Sequence, residues 1–221
     1  MSLILSRLRL NVGQRDVRRD LGNPYDMHRT LVRAFADSPE SEVRPFLWRL
    51  EPGREAQTPE ILVQSESEPT WGQLPLNYLI EQEARSWTPE EVLRQGRRLR
   101  FRLRANPTVC RVPPAPENQE SPVTVARGNR KRLGLWKEEE QLAWMERQAA
   151  KLGLASVDAV VSSSARLRCR RRGGVLTVAA ALFEGQAVIA DPTALAAGIR
   201  QGVGHARLLG LGLVSVAPIR S

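Results

Sequence analysis

Histidine is scarce in this chain: of 221 residues, only His28 and His205 carry an imidazole. His28 stands in the stretch NPYDMHRTLVRAF, three residues after Tyr25 and five before Arg33. An imidazole titrates near neutrality and suits proton transfer. On a helix, positions i and i+3 are neighbours, so Tyr25 and His28 would lie on one face. Taken alone, His28 fits a plain reading better, as a partly exposed helix position; the plain alternative for Tyr25 is an aromatic packing at the helix start.

A second chemistry is written in arginine. Side chains of a strand alternate between its two faces. In RLRFRLR, Arg98, Arg100, Arg102 and Arg104 therefore share one face, and Leu99, Phe101 and Leu103 the other. In ARLRCRRRGG, Arg166, Arg168 and Arg170 align in the same way, with Arg171 and Arg172 crowding the turn at Gly173. Seven arginines in two rows without an acid between them repel one another unless a polyanion neutralises them. Their forked guanidinium groups match phosphate or guanine. The alternative is a solvated sheet face paired with acids from elsewhere. The segment GVGHARLLGLGLVSVAP adds Gly204, His205, Arg207, Gly210 and Gly212. It lacks the GxGxxG order of a dinucleotide loop. Glycines between a helix and a strand let backbone approach a phosphate, or simply make a tight turn.

The whole composition agrees with a polyanion partner. The formal net charge is +9 and the pI about 10.8, while 42% of residues are hydrophobic, enough for folded cores. Cys110 and Cys169 stand alone, with no CxxC or Cys/His cluster, so neither a structural zinc nor any other cofactor is expected. The opening MSLILSRLRL carries too short an apolar run for a signal peptide, and no stretch reaches the ~20 residues of a membrane span. A cytoplasmic protein without a membrane partner is expected.

The elements that must position these residues follow from periodicity. Leu3–Leu10 reads as a strand. PYDMHRTLVRAF reads as a helix, with Asn23 as N-cap, Pro24 at the first position, and Asp26 favouring the helix dipole. Two strands follow at 44–51 and 60–66, joined by the turn residues PGREAQTP, and a short irregular helix or loop covers 71–80. SWTPEEVLRQG separates the halves. The second half reads as a strand from 97, a solvated loop near 113–131, and an amphipathic helix with Leu135, Leu142, Met145, Ala149 and Leu152 on one stripe. Strands joined by turns at Gly173–Gly174 and near Gly185 come next, then a helix capped by Asp191, then a last strand. Strand, helix, strand, strand, helix, strand is the ferredoxin-like order. We expect an α+β protein of two tandem ferredoxin-like (RRM-like, βαββαβ) domains. Residues 1–90 would carry the His28 helix, and 95–221 the basic hairpin and glycine-rich loop.

NPYDMHRTL, RLRFRLRANP and GHARLLGLGLVSVAP together resemble the CasE family, CRISPR-associated endoribonucleases of type I-E Cascade systems. FLWRLEP and LFEGQAVIADP extend the likeness over most of the chain. The resemblance implies two tandem ferredoxin-like domains and metal-free cutting of a repeat–spacer transcript at the base of each CRISPR repeat stem-loop RNA. It further implies that the protein then stays on the hairpin, beside other Cascade subunits. It makes His28 and Tyr25 catalytic, with Arg33 where relatives often have lysine. Arg207 matches a lysine of the glycine-rich loop, and Arg166 to Arg172 the hairpin that enters the stem. In such a reaction the 2′-OH attacks the adjacent phosphate, so the enzyme must move protons, align the attack and stabilise charge. His28 would be general acid or base, Tyr25 its partner or orienter, and Arg33, Arg29 or Arg207 electrostatic support. Two other readings stay open: a subunit that holds the hairpin without cutting it, and a generic RRM-like binder. An aromatic content of 5% disfavours the second.

Overall fold

The computed structural model describes residues 2–36, 38, 40–51, 58–111, 131–171 and 173–219, with the side chains of Arg111 and Lys131 excepted. Most of the PGREAQTP turn, nearly all of the 113–131 loop and Arg172 lie outside the described residues.

Two four-stranded antiparallel sheets carry the structure. The first is built from β1 (Leu3–Leu10), β2 (Phe46–Glu51), β3 (Glu60–Ser65) and β4 (Leu79–Trp87), in the order β2-β3-β1-β4. The second joins β5 (Arg98–Ala105), β8 (Leu154–Arg171), β9 (Gly174–Ile189) and β10 (Val214–Pro218), in the order β10-β5-β9-β8. Each places its first strand between the third and fourth, the order of a ferredoxin-like unit. In the first unit the second helix is reduced to the single 3-10 turn Trp71–Gln73.

Helices cover one face of each sheet. In the first unit α1 (Arg15–Gly22) and α2 (Pro24–Val32) close a core of Leu8, Leu10, Val17, Met27, Leu31, Phe35, Trp48 and Tyr78. A one-turn helix, α3 (Pro89–Val92), leads into the second unit. There α4 (Glu138–Lys151) and α5 (Pro192–Gln201) pack on Leu99, Phe101, Leu103 and Phe183. A short ribbon of β6 (Thr108–Arg111) and β7 (Lys131–Gly134) is inserted between β5 and α4.

Several local expectations are corrected. Gly185 is no turn: it lies within the continuous strand β9, where a Cβ would come 2.2 Å from Asp158 O. The β8–β9 register shifts between Ala155 and Asp158, and glycine at a strand interior marks this kind of irregularity. The α4 stripe centres on Gln141, Trp144, Met145 and Ala149 rather than on Leu142, which is half-buried. Asp191 caps α5 as expected, accepting from Thr193 N and Ala194 N at 2.9 and 3.0 Å. Asn23 holds the N-cap position of α2, but its side chain makes no cap bond there.

Candidate nucleic-acid interface and active site

Helix α2 presents two neighbouring faces to two separate depressions. Tyr25 and Arg29, one turn apart, line an open cleft of about 1090 Å³ together with Arg18, Arg19, Arg168, Arg170 and Arg171. The helix and the basic hairpin thus meet in one place, and six arginines surround Tyr25. Arg19 is held by a buried acid: its Nε donates to Asp20 Oδ1 at 2.8 Å, and Tyr78 Oη donates to Asp20 Oδ2 at 2.8 Å. Arg29 reaches Asp26 at 3.7 Å on the helix surface. Among the described residues no acid lies within salt-bridge distance of Arg168, Arg170 or Arg171, and all three are exposed. Arg166 turns elsewhere, its guanidinium 4.8 Å above the Trp136 ring.

His28 lines the other depression, of about 820 Å³, with Val32, Arg44, Phe46, Ser65, Arg200 and Arg207. The imidazole stacks on Phe46 at 5.2 Å, and Phe46 stacks on Phe35 at 4.3 Å. Nδ1 of His28 is buried without a hydrogen-bond partner. Burial lowers the imidazole pKa to about 4, so the neutral ring prevails at pH 7. Across the window from 6.5 to about 4 the unfolded chain takes up this proton and the native one does not, so His28 makes the protein less stable as pH falls through it. A titration of the free protein followed at the His28 ring proton by NMR should show a midpoint near 4. A midpoint near the ordinary value of 6.5 would mean the stack on Phe46 does not shield the ring.

The structure divides the remaining expected residues. Arg207 and Leu208 of the glycine-rich segment reach the His28 depression. His205 is exposed, its pKa lowered by partial burial and by the charges of Arg132 and Arg207. Arg33 is exposed just beyond α2 and lines neither depression. Arg98 and Arg100 are exposed on β5. Arg102 lies 2.8 Å from Glu51 and 2.7 Å from Glu184, so on that residue the alternative of pairing with distant acids is what the fold adopts. Arg104 turns into a small cavity beside Asp20, Met27, Trp48 and Leu209, and burial lowers its pKa.

Packing inside the protein accounts for two of the glycines. Gly210 and Gly212 are buried with φ of 75° and 97°. A Cβ on Gly210 would sit 2.8 Å from the Trp48 ring, and one on Gly212 2.8 Å from Val203 O. Gly204 is half-buried beside Trp144. Sequence reasoning missed Arg18, Arg19, Arg44 and Arg200, which stand outside any row of period two; a count of basic residues near the His28 helix would have flagged the first two. Among the described residues, no group of three His, Cys, Asp or Glu side chains is placed to hold a metal ion, and no helix is long and apolar enough to cross a membrane.

Tandem ferredoxin-like units with an arginine hairpin seated against one helix define the class. The model of the family described as CRISPR associated protein matches residues 3–218, and the chain belongs to that family. It is 38% identical to the CRISPR-associated endoribonuclease Cse3 of Thermus thermophilus, over 97% of this chain and 99% of the relative. It is 33% identical to the CRISPR system Cascade subunit CasE of Escherichia coli, over 91% of this chain and 94% of the relative. Among solved structures, Thermus thermophilus Cse3 bound to an RNA representing a pre-cleavage complex superposes with a TM-score of 0.82 at 37% identity, covering 99% of this chain and 100% of that one.

Proposed function

We propose that this protein is an endoribonuclease that binds the hairpin of a CRISPR repeat RNA and cuts the precursor at the base of the stem. It then stays on the product as a Cascade subunit. The carrying observation is the imidazole of His28, with Nδ1 buried without a hydrogen-bond partner, sharing one depression beside α2 with Arg207, while the arginine cleft opens beside another part of the helix. The relatives' names and their RNA-bound structure support the same reading.

On this reading the residues have distinct roles. The cleft arginines hold the stem's phosphates, as charge-assisted donors do. His28 in its neutral form takes the proton of the attacking 2′-OH. The 2′-oxygen then bonds to phosphorus, the bond to the 5′-oxygen breaks, and that oxygen takes a proton from water. The products are a 2′,3′-cyclic phosphate and a 5′-OH. Arg207 stabilises the charge that builds on the phosphoryl oxygens. Tyr25 contacts the RNA on the cleft side, and Arg33, outside both depressions, gives only distant electrostatic support. The nucleophile is internal to RNA and the positive charge comes from arginine, so the route asks for no cofactor. Residues 1–90 supply the catalytic helix and 95–221 the hairpin and glycine-rich segment. A transcript as substrate places this work in the cytoplasm.

The test is an end-labelled repeat hairpin incubated with the protein in excess EDTA, beside the same RNA with a 2′-deoxy sugar at the cut site. A single cut leaving a cyclic phosphate, and none in the deoxy substrate, is the expected result. Tight binding of both RNAs without any cut would instead make the protein a holding subunit.

A further inference from the structure

Asn23 sits where α1 ends and α2 begins, 9% exposed, with an extended backbone at φ −148° and ψ 104°. A side-chain oxygen at an N-cap normally accepts from the helix's own first N–H groups. Here it accepts instead from Arg170 N at 3.2 Å, while Nδ2 donates to Arg170 O at 3.0 Å and to Asp26 Oδ2 at 2.7 Å. The carboxamide presents one donor and one acceptor to one residue of a strand, as a neighbouring strand would.

The strand it meets needs such a partner. β8 is one of the two outer strands of its sheet, and an outer strand has N–H and C=O groups facing away from the ladder. At the end of the β8–β9 hairpin Cys169 is buried, but Arg168, Arg170 and Arg171 are exposed and Val175 is 54% exposed. Asn23 lies two residues before Tyr25 and five before His28. Its side-chain amide is therefore a direct link from the start of the helix that carries His28 to the backbone of the arginine hairpin.

We propose that Asn23 is a positioning residue that fixes the hairpin's height above α2, so that RNA gripped by Arg168, Arg170 and Arg171 delivers its scissile phosphate to His28. This rests on the endoribonuclease reading above. Affinity belongs to the arginines and does not need the clamp. The rate depends on registration, since small misplacements of a reacting group cost large factors. Aspartate cannot substitute, because a carboxylate offers no donor to Arg170 O and adds charge beside Asp26.

The experiment compares wild type, Asn23→Ala and Asn23→Leu, which keeps the side-chain volume but offers neither donor nor acceptor, in the free protein and with repeat-hairpin RNA. Hydrogen exchange at the Arg170 amide should accelerate at least about tenfold in both variants, as expected for loss of a protecting bond. Single-turnover cleavage at saturating protein should fall at least about tenfold, while Kd for the RNA stays within about threefold. Unchanged exchange, an unchanged rate, or a Kd that weakens by the same factor as the rate would each overturn the proposal. If Asn23→Ala melts below the assay temperature, Asn23→Leu carries the test. A wild type that binds without cutting overturns the endoribonuclease reading and the catalytic half of this proposal together. In that case exchange at Arg170 still decides whether the clamp exists.

Discussion

His28→Ala is expected to lower single-turnover cleavage of the repeat hairpin by about 10²–10⁴-fold, the usual worth of a positioned proton-transfer group, and to leave RNA affinity within about threefold. The separation follows from the two faces of α2. The arginines that would hold RNA line the cleft with Tyr25 and Arg29, whereas His28 lines the other depression with Phe46 and Arg207. Truncation at His28 removes no positive charge at pH 7, because burial keeps the ring neutral. It removes a stack on Phe46 but also a buried nitrogen that has no partner in the free protein, and these act on stability in opposite directions. The melting temperature should therefore change little. The measurement is a rate at saturating protein beside a Kd from filter binding on the same RNA. A variant that cuts like wild type moves the active site off His28. A variant that loses binding and cutting in proportion makes His28 a packing residue under the interface.

The elements with one clean periodicity were legible in the sequence, and those polar on both faces were not. β1, α2, β5 and α5 announce themselves through alternating leucines, a Pro-initiated helix, interleaved arginines and an Asp-Pro start. α1 carries Val17 and Leu21 as its only aliphatic residues larger than alanine, and β4 is exposed along nearly all of LIEQEARSW because it is a sheet edge, so neither shows a stripe. The arginine rows were visible from spacing, but spacing cannot show which rows face acids. Arg102 falls between Glu184, its cross-strand partner on β9, and Glu51, which reaches it from the other sheet, and neither is near it in the chain. The same limit hides Asn23. Its type and place spell an N-cap, and only the approach of β8 turns its amide outward to Arg170.

Arg49→Ala is expected to cost about 3–5 kcal/mol of stability, the range for breaking a buried ion pair from one side. Arg49 is 2% exposed on β2 and spans both sheets. Its Nη1 donates to Arg102 O and Leu213 O at 3.0 Å each, its Nη2 to Ser215 Oγ at 2.7 Å, and its Nε to Glu51 Oε1 at 2.6 Å. Burial lowers its pKa, with Glu51 opposing the shift, yet a guanidinium stays charged at any physiological pH. Glu51 also binds Arg102, which binds Glu184, so the charges form one chain between β2, β5 and β9. Alanine would leave two carbonyls and part of a carboxylate buried without donors, in addition to a void. For a chain of this length the loss corresponds to a melting temperature lower by roughly 6–20 °C. Arg49→Met separates volume from charge: it refills the void while leaving the acceptors unpaired, so it should recover only the packing part. Activity should respond as well. Leu213 follows Gly210 and Gly212, and Gly210 packs on Trp48 of the same strand, so the lock also sets where Arg207 stands relative to His28. At a temperature where Arg49→Ala remains folded, its cleavage rate should therefore fall more than its RNA affinity. If melting and denaturant unfolding instead show a loss under about 1 kcal/mol, the sheets are held by their apolar contacts, and the buried arginine is the kind whose pairing only offsets its own desolvation.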